Sequence, residues 1–599
     1  MTQAAKTSGT LRVIATSDLH MNLTGFDYIA EVSQPGQGLA ALASTISNLR
    51  ADPDVATELC DNGDLIQGNP LADELAANPR AAAHPMITAM QTLGYDVMTI
   101  GNHDFDYGLE FLQKTVAPAD FPVVSANIFD ATGQTFAPYV MITRTLRCSD
   151  GVTRDIRIGL TGFAPPQVAG WTQGHRQPLG AEDIVVSAQN VIPQMQAAGA
   201  DIIVALCHSG MSGVANEHGM ENAAIPLSAV PGIDALVMGH THDAFPDGDV
   251  PNMAIVDGAN GLIHGTPAVN PGAFGHAVGV IDLHVTHTDD SWQVTGHKIW
   301  RAKAKMIAVD PLQDQINAIA APFHAATLKS LATPVAQSAF HIQNYFARVH
   351  PDICQQILSD AMIDAVRKAL GHTADDIRIL AATSPFTSTH GNGSGKFVDL
   401  PTGSITRRHT AAVYPFADRL CAVRRTGAQI RAWLEQAACH YARITPGVQD
   451  QPLFVDDSPT YNCDTLHGTT YQIDLSQPNA HDGGSRITQL ACNGKPIRPD
   501  DIFTIATNSY RASGAGGYPS IPPMDILHRD QARIRDVLIA YLQGTDSYRR
   551  PLDPHWSFAA MGSTTAFFDS AAQASQHMPR HVTLAENRAD GSTRYRIHL

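Results

Sequence analysis

The chain has 599 residues, which is too long for a single hydrophobic core and predicts two or more domains. Its hydrophobic content of 44% is typical of a globular protein with a packed interior. The formal charge of −17 and the lack of basic runs argue against a nucleic-acid polymer as partner. Small phosphates remain possible substrates wherever metal cations offset their charge.

The N-terminus, MTQAAKTSGT, contains one lysine and no apolar segment, so it does not resemble a signal peptide as written. We therefore expect a cytosolic protein, or one whose leader has been removed or replaced. Every apolar run is shorter than about 18 residues, so neither a transmembrane helix nor a membrane partner is expected. The eight cysteines are sparse and form no CxxC pair, so they do not indicate a disulfide framework.

Residues 11 to about 245 alternate short apolar runs with helical stretches such as 38–50 and 84–94. This alternation predicts a mainly parallel, layered α/β domain. Five of the runs are rich in β-branched residues and end at Gly or polar residues, so they are predicted to be buried strands. They are LRVIATSDLH, TELCDNGDLI, DVMTIGNHDFD, DIIVALCHSG and IDALVMGHTH.

Each of the five runs ends at residue types that bind metal ions. In an open α/β sheet, ligands gather beyond the carboxyl ends of the strands. We therefore expect the five runs to deliver their polar side chains to one edge of one sheet, which suits a two-metal hydrolase. The residues, in chain order, are Asp18 and His20, then Asp64, then Asn102 with His103, Asp104 and Asp106, then His208, and finally His240 and His242.

Asp64 is the natural bridge between two metal ions. Ions about 3.5–4 Å apart need a shared ligand, and a carboxylate offers two oxygens. The adjacent Gly63 lets the backbone approach closely. Asn102 is a useful further ligand because it is neutral and adds no negative charge beside a phosphate.

Two pairs of residues are separated by two positions, so their side chains point the same way. Asp18 and His20 form one pair, and His240 and His242 form the other. His208 comes from a separate strand end. Such mixed nitrogen and oxygen ligands allow Mn, Zn, Fe, Co or Ni, so the sequence predicts two divalent ions without their identity.

His103 follows Asn102 directly and is expected to face away from that ligand. Asp106, three residues later, is able to hold one ring nitrogen of His103. Such a pair would supply a cationic imidazole that stabilises the transition state or protonates the leaving oxygen. Any one of these residues alone would be more typical of a cap or a surface group. Five motifs in order favour the metal interpretation.

The remainder of the chain predicts a second domain. Residues 262–301 are typical of antiparallel strands that close the first domain. Residues 310–331 predict a helix with Asp310 as N-cap and Pro311 in its first turn. A further helix is expected over ARVHPDICQQILSDAMIDAVRKAL. The predicted boundaries are 10–308 for the catalytic domain, 309–344 for a linker helix region, 345–557 for a C-terminal domain, and 558–599 for an extension without an assigned role.

The motifs DLH, GDLIQG, GNHDFDYG, CHSG and GHTH, in this order and spacing, resemble the calcineurin-like metallophosphatase fold. The resemblance is closest to the 5′-nucleotidase / 2′,3′-cyclic phosphodiesterase family. It extends through GTPAVNPGAFGHAVGVIDL, AATSPFTS, GSITRRHTAAVYPFADRL, GTTYQIDLSQP and ATNSYRASGAGGYP, and so covers roughly residues 10–557. The implied fold class is α/β: a layered metallophosphatase domain, joined by a linker helix to a C-terminal α+β nucleotide-binding domain.

The resemblance also implies roles for the strand-end residues. His103 and Asp106 match the family's catalytic pair. One metal ion would be held by Asp18, His20, Asp64 and His242, and the other by Asp64, Asn102, His208 and His240.

In the second domain, the resemblance implies that two aromatic rings enclose the base of a nucleotide. Tyr510 matches one ring and Phe416 the other, with Tyr414 as an alternative to Phe416. Stacking suits several bases because every base has a π-face. Arg408 and Asp418 are expected as further substrate contacts. The family's arginine in the preceding glycine-rich loop is missing, and Asn392 or Lys396 occupies that neighbourhood.

The segments YQIDLSQP and TNSYRASG are more similar to the cyclic-nucleotide and 3′-nucleotidase branch than to the 5′-nucleotidases. The same comparison implies a glutamine in place of His242 in members that bind 5′-nucleotides. We therefore expect a 2′,3′-cyclic phosphodiesterase with 3′-nucleotidase activity that acts on small-molecule nucleotides. The alternatives are a 5′-nucleotidase or another phospho- or sulfur-ester hydrolase of the family, or a binding protein without catalysis. Much of the family is periplasmic, which is the alternative to a cytosolic location.

Overall fold

The structure is a computed structural model, and its chain forms two compact units, Met1–Ser330 and Leu331–Leu599. No helix among the described residues is long and apolar enough to cross a membrane. The described residues are 7–78, 83–172, 176–247, 253–288, 291–305, 310–371, 378–388, 397–455, 459–545, 547–589 and 591–599.

The first unit contains two large sheets and their covering helices. Its strands are β1 (Thr7–Thr16), β2 (Phe26–Asp27), β3 (Val32–Ser33), β4 (Val55–Asp61), β5 (Val97–Thr99), β6 (Val123–Val124), β7 (Ile128–Asp130), β8 (Gly133–Gln134), β9 (Tyr139–Arg147), β10 (Thr153–Phe163), β11 (Gly180–Ala181), β12 (Ile202–Cys207), β13 (Ala235–Met238), β14 (Val256–Asp257), β15 (Leu262–Ile263), β16 (Thr266–Val269), β17 (Ala277–Thr288) and β18 (Ser291–Lys303). Its helices are α1 (Leu39–Leu49), α2 (Pro70–Ala77), α3 (Pro85–Leu93), α4 (Leu109–Val116), α5 (Val168–Trp171), α6 (Ile184–Ala197), α7 (Ala224–Ser228) and α8 (Pro311–Leu331).

The two large sheets have the orders β18-β17-β1-β4-β5-β6 and β14-β15-β16-β13-β12-β10-β9. The expectation that all five motif strands lie in one sheet is therefore wrong. Strands β1, β4 and β5 belong to the first sheet, and β12 and β13 belong to the second. Side chains of both sheets, including Val13 and Cys60 from the first and Val204 and Val237 from the second, form one core cluster. A strand buried on both faces has no alternation that reveals which sheet it joins.

The pairing within the sheets agrees with the predicted layered α/β domain. β1, β4, β5 and β6 are parallel neighbours, as are β10, β12, β13 and β16. The long antiparallel strands β17 and β18 then pair along the edge of β1. Helix α8 begins after Asp310, whose Oδ1 accepts hydrogen bonds from the backbone N–H groups of Leu312 and Gln313 at 3.1 Å each. This is the predicted N-cap.

The second unit is α+β, with three sheets of four or five strands. Its strands are β19 (Pro334–Ser338), β20 (Ile342–Gln343), β21 (Ile379–Thr383), β22 (Asp399–Leu400), β23 (Gly403–Thr406), β24 (Arg419–Thr426), β25 (Gln451–Pro452), β26 (Thr465–His467), β27 (Thr470–Ile473), β28 (Ile487–Cys492), β29 (Lys495–Pro496), β30 (Ile502–Asn508), β31 (Ile526–Arg533), β32 (Trp556–Phe558), β33 (Thr565–Ala571), β34 (Val582–Asn587) and β35 (Ser592–His598). Its helices are α9 (Ile353–Ala369), α10 (Arg407–Val413), α11 (Gly427–Ala437), α12 (Ser509–Ala512) and α13 (Ile534–Gln543).

Helix α9 begins later than the helical segment predicted from residue 347. Pro351 restricts the residue before it, and Asp352 caps the helix by accepting from the backbone N–H groups of Cys354 and Gln355. The last 40 residues pack into the same unit, since β33, β34 and β35 form a sheet with β25 and Tyr595 is fully buried in the core. All eight cysteines are free thiols. The four predicted domain boundaries stay predictions.

Candidate metal and catalytic centre

The polar residues at the five strand ends of the first unit form two adjacent groups. Ligand-type atoms within each group lie within 4.8 Å of one another. The first group is Asp18, His20 and His242, and the second is Asp64, His208 and His240. Oδ2 of Asp64 connects them, since it lies 3.6 Å from Nε2 of His20 and 3.1 Å from Nε2 of His208. The structure thus brings the predicted ligands together, with Asp64 between the two groups.

Three buried atoms in this cluster have no hydrogen-bond partner among the described residues. They are Oδ2 of Asp64, Nε2 of His208 and Oδ1 of Asn102. The first two of these atoms lie 3.1 Å apart. Leaving a buried polar atom unsatisfied costs about 1–3 kcal/mol, so such atoms need an explanation. A divalent cation would satisfy such atoms, because carboxylate and carbonyl oxygens and the nitrogen of a deprotonated imidazole all bind metal ions.

The backbone fixes two of the histidine rings through their second nitrogen. Nδ1 of His20 donates to the carbonyl of Gln67 at 3.0 Å, and Nδ1 of His208 donates to the carbonyl of Asn62 at 2.7 Å. Because a carbonyl only accepts, these Nδ1 atoms carry the proton. In the neutral ring, Nε2 then presents its lone pair, which is the arrangement that metal-binding histidines use.

Burial and neighbouring charges shift the pKa values of several residues in the cluster. Burial lowers the pKa of His20 to about 4, so this ring is neutral and able to bind a cation. Burial also acts to lower the pKa of His208, but the carboxylates of Asp64 and Asp18 outweigh it and raise that pKa to about 9. Burial acts to raise the pKa of Asp64, yet the neighbouring histidines, His208 first, hold it well below its usual range. A bound cation would take the place of the His208 proton beside this carboxylate.

Five of the seven predicted ligands adopt left-handed backbone conformations. The φ angles are 52° for Asp18, 45° for His20, 53° for Asp64, 71° for His240 and 61° for His242. Residues other than glycine seldom adopt such angles, which cost on the order of 1–3 kcal/mol each and cluster at functional sites. The concentration of strain at these residues supports a functional role for them.

The strained turns are held together by short backbone contacts. The N–H of Asp18 donates to the carbonyl of Gly63, and the N–H of His20 donates to the carbonyl of Asp64, both at 2.9 Å. Gly63 has a φ of +91°, and a Cβ at this position would lie 2.3 Å from the backbone nitrogen of Gly101. The close approach predicted for Gly63 is therefore present.

Asp104, one of the strand-end residues for which no specific role was predicted, is a structural residue of the site. Its carboxylate accepts from the backbone N–H groups of Asp64 at 2.9 Å, Leu65 at 2.8 Å, Ile66 at 3.0 Å and Gly101 at 2.9 Å. It thereby ties the turn after β4 to the turn after β5. A tight turn leaves several N–H groups in need of an acceptor, and this was the available signal.

Glu221 is a second residue that the sequence analysis missed. Its Oε1 lies 2.9 Å from Nε2 of His240. The backbone N–H of His240 in turn donates to the carboxylate of Asp18 at 3.1 Å. Glu221 comes from the loop after β12, where nothing in the local pattern distinguishes it from an exposed acid. It orients His240 through the ring nitrogen opposite Nδ1.

The predicted catalytic pair lies beside the metal-type residues. The backbone N–H of His103 donates to Oδ1 of Asp64 at 2.8 Å. A single 3₁₀ turn, His103–Phe105, follows and brings Asp106 next to the imidazole. Nδ1 of His103 lies 2.9 Å from Oδ2 of Asp106. The imidazole is 40% exposed, so a substrate can reach it.

Comparison with known proteins agrees with this geometry. Residues 11–244 match the calcineurin-like phosphoesterase family, and residues 335–522 match the C-terminal domain of 5′-nucleotidases. The 2′,3′-cyclic-nucleotide 2′-phosphodiesterase/3′-nucleotidase of Yersinia enterocolitica is 34% identical in an alignment that covers 92% of this chain and 88% of that protein. This chain belongs to the 5′-nucleotidase / 2′,3′-cyclic phosphodiesterase family.

One further sequence relative and one solved structure are similar to this chain over most of its length. The trifunctional nucleotide phosphoesterase protein YfkN of Bacillus subtilis is 34% identical over 94% of this chain, but the chain spans only 40% of that longer protein. A crystal structure of a putative 5′-nucleotidase from Staphylococcus aureus superposes with a TM-score of 0.70 at 20% identity. It covers 92% of this chain and 100% of its own, which establishes a shared fold for both units.

In the C-terminal unit of this chain, the two predicted base-stacking rings, Phe416 and Tyr510, belong to one aromatic cluster. Phe416 and Tyr510 are each half-buried, and the ring of Tyr461 lies between them. Its centroid is 5.7 Å from that of Phe416 and 6.1 Å from that of Tyr510, edge to face in both cases. The sequence analysis missed Tyr461, because only the fold brings it to the other two. Stacking of a base by Phe416 and Tyr510 stays a prediction.

The structure favours Phe416 over the alternative Tyr414. Tyr414 is fully buried, and its hydroxyl donates to Oδ2 of Asp418 at 2.9 Å. A buried ring cannot offer a face to a ligand. Oδ1 of Asp418 accepts from the hydroxyl of Ser509 at 3.0 Å and from the backbone N–H of Tyr510 at 3.1 Å. Asp418 therefore supports Tyr510, and its predicted contact with a base is untested.

One further predicted substrate contact of the C-terminal unit lies on α10. Arg408 is half-buried in the first turn of α10. Its contact with a substrate stays a prediction. Asn392 and Lys396, the two alternatives for the neighbourhood of the missing arginine, lie outside the described residues.

Proposed function

We propose that this chain is a dinuclear-metal hydrolase that opens 2′,3′-cyclic nucleotides to 3′-nucleotides and then dephosphorylates these to nucleosides. The observation that carries the proposal is the 34% identity, over nearly the full length of both chains, with enzymes of that bifunctional name from Yersinia enterocolitica and Salmonella typhimurium. The two groups of Asp and His side chains, with unsatisfied ligand atoms between them, support the metal dependence.

The proposed ligands are those at the strand ends. Asp18, His20 and His242 would hold one ion, and Asn102, His208 and His240 the other, with Asp64 shared. Bound divalent cations would lower the pKa of a water molecule and offset the charge of the phosphate. Nitrogen and oxygen ligands in this mixture fit Mn, Zn, Fe, Co or Ni.

The first reaction opens the cyclic diester. A water oxygen forms a bond to phosphorus and releases one proton to solvent, the bond between phosphorus and the 2′ oxygen breaks, and the 2′ oxygen takes up a proton. His103 is the proposed donor of that proton, because Asp106 favours the cationic imidazole and orients its ring. A proton from solvent restores the proton donor before the next reaction. The product is a 3′-monophosphate.

The second reaction uses the same groups. The 3′-monophosphate carries its phosphorus at nearly the same position as the cyclic substrate, so it rebinds to the same residues. Water attacks phosphorus again, the bond to the 3′ oxygen breaks, and His103 protonates that oxygen. The products are a nucleoside and inorganic phosphate, and the two activities share one set of residues.

The alternative within the family is a 5′-nucleotidase or another phospho- or sulfur-ester hydrolase. The purified chain should be tested against 2′,3′-cyclic AMP, 3′-AMP and 5′-AMP under the same conditions. The proposal expects hydrolysis of the first two and little of the third. A clear preference for 5′-AMP would replace the proposal with the 5′-nucleotidase alternative.

A further inference from the structure

A second cluster of metal-ligand side chains lies in the C-terminal unit, apart from the strand-end residues. It consists of His341, Asp399 and His577, each of which offers one ligand atom within 4.8 Å of the others. Nε2 of His341 lies 2.5 Å from Oδ1 of Asp399. The rings of His341 and His577 are 4.3 Å apart between centroids, at an angle of 55°. The proposed hydrolysis makes no use of these residues.

The fold places two of the three side chains on one face of a short ladder. Strand β20 pairs with β22 in antiparallel register, and Gln343 lies opposite Asp399. His341 precedes Gln343 by two residues, so its side chain points to the same face as those of Gln343 and Asp399. Diagonal neighbours of this kind are within reach of long side chains. His577 reaches the same place from the segment that follows β33 and its 3₁₀ turn, Ala572–Gln576.

Tyr345 contacts two members of the cluster, Asp399 and His577. Its hydroxyl donates to Oδ2 of Asp399 at 2.5 Å, which leaves Oδ1 facing His341. Its buried ring is also stacked against that of His577, with centroids 6.0 Å apart and an angle of 16°. Carboxylates that bind metal ions are usually held in place by a further hydrogen bond, as Asp399 is by Tyr345. The buried side chain of Tyr345 thus positions two of the proposed ligands, Asp399 and His577.

We propose that His341, Asp399 and His577 bind a single Zn²⁺-type divalent cation. Two imidazole nitrogens and one carboxylate oxygen suit zinc or its transition-metal neighbours, and they exclude the oxygen-only sets that Ca²⁺ and Mg²⁺ prefer. The side chains of His341 and Asp399 are 36% and 40% exposed, so an ion and a completing water can enter from solvent. An isolated exposed ion pair between His341 and Asp399 would by contrast contribute little to stability.

The ion would join distant parts of the C-terminal unit. His577 lies beyond residues 335–522, the part that matches the 5′-nucleotidase C-terminal domain, whereas His341 and Asp399 lie within it. Binding to the folded chain alone stabilises it in proportion to ion concentration. The cation would therefore fasten the last strands of the chain to the ladder of β20 and β22.

The test measures zinc bound per chain in the full-length protein. Wild type, His577→Gln and Asp399→Asn are stripped of metal, equilibrated with zinc alone, desalted and assayed by elemental analysis. His481→Gln, which changes an exposed histidine of the same unit, is the matched control. We expect His577→Gln and Asp399→Asn each to bind one zinc fewer than wild type and the control. Hydrolysis of bis-p-nitrophenyl phosphate should be unchanged, because the strand-end residues are untouched.

Tyr345→Phe separates a binding site from a structural cluster. Loss of the hydroxyl should weaken zinc binding at this site by about 10-fold or more while the phenyl ring keeps its packing. The unfolding midpoint of wild type should rise with zinc concentration, and that of His577→Gln should rise less. If His577→Gln does not fold, Asp399→Asn on the exposed ladder decides the stoichiometry. Equal zinc content in wild type and the folded variants would overturn the proposal, as would an equal loss in His481→Gln.

Discussion

Nδ1 of His103 lies 2.9 Å from Oδ2 of Asp106, three residues further along a single 3₁₀ turn. The backbone N–H of His103 also donates a hydrogen bond to Oδ1 of Asp64. One short segment therefore positions both the proposed proton donor and the proposed bridging ligand. The two functions should nevertheless be separable, because they use different atoms of His103.

His103→Ala should lower kcat by about 10²–10⁴ because it removes the proposed general acid. Metal content should stay near that of wild type, since the backbone bond to Asp64 does not need the imidazole. Turnover of 2′,3′-cyclic AMP and elemental analysis are the measurements. Asp106→Asn, which weakens only the support of the ring, should show a smaller loss. A His103→Ala variant that lost metal but kept its turnover per bound metal would reverse the assigned roles.

Removal of metal should abolish activity, and added Mn²⁺ or Zn²⁺ should restore it, because ligand-type atoms of Asp64, His208 and Asn102 lack a hydrogen-bond partner among the described residues. Asp64→Ala should lower metal content and should not recover at the same ion concentration, since both groups lose their shared oxygen. Activity and elemental analysis before and after chelation provide the check. Full activity in a preparation shown to be metal-free would contradict the two-metal account.

Tyr510→Ala should weaken nucleotide binding by about 1–3 kcal/mol, the typical contribution of an aromatic ring stacked on a base. Hydrolysis of bis-p-nitrophenyl phosphate should suffer much less, since this ester carries no base. Tyr510→Phe keeps the ring and serves as the control. KM and kcat on both substrates distinguish the cases. Equal losses on nucleotide and artificial ester would indicate that Tyr510 has only a packing role.

The C-terminal unit contains a pair of buried histidines with a consequence for stability. The rings of His467 and His555 are 3.9 Å apart between centroids, and Nε2 of each lacks a hydrogen-bond partner among the described residues. Burial, then the neighbouring His555 and Arg550, hold the pKa of His467 well below its ordinary value of 6.5. Burial likewise lowers the pKa of His555. Both rings are therefore neutral in the folded chain at neutral pH.

Stability should fall as pH drops below about 6.5, because the unfolded chain then takes up protons that the folded chain excludes. Above that pH both states are neutral at these residues, and they cause no pH dependence. His467→Gln should reduce the slope of unfolding free energy against pH by up to about 1.4 kcal/mol per pH unit. Urea unfolding between pH 7.5 and 5.5 measures it, with His481→Gln as control. An unchanged slope in His467→Gln would contradict this explanation.

Much of the candidate site could be predicted from the sequence because each proposed ligand lies within four residues after the end of a strand. A strand such as β12, buried along its whole length, is recognisable as a continuous apolar run, and His208 is the next residue. Which sheet each strand joins was not predictable, since pairing depends on contacts between distant segments. The single sheet expected for Asp64 and His208 is in fact two sheets that pack against each other.

The role of Asp104 and the contacts of Tyr461 were not predicted, because both depend on how distant parts of the chain meet. Asp104 acts by accepting from four backbone N–H groups, and backbone geometry leaves little trace in side-chain patterns. Tyr461 contacts Phe416 and Tyr510 only because the fold brings three distant segments of the chain together. The start of α9 after Asp352 could have been predicted from the sequence, since Pro351 and Asp352 are strong signals for a helix boundary.

The most direct test of the proposed function is a time course of 2′,3′-cyclic AMP hydrolysis with all products resolved. We expect 3′-AMP to rise and then fall as adenosine and phosphate accumulate, because one set of residues performs both steps. Variants Asp64→Ala and His208→Ala should lose the two activities together. Accumulation of 2′-AMP, or a variant that loses one activity and keeps the other intact, would contradict the one-site account.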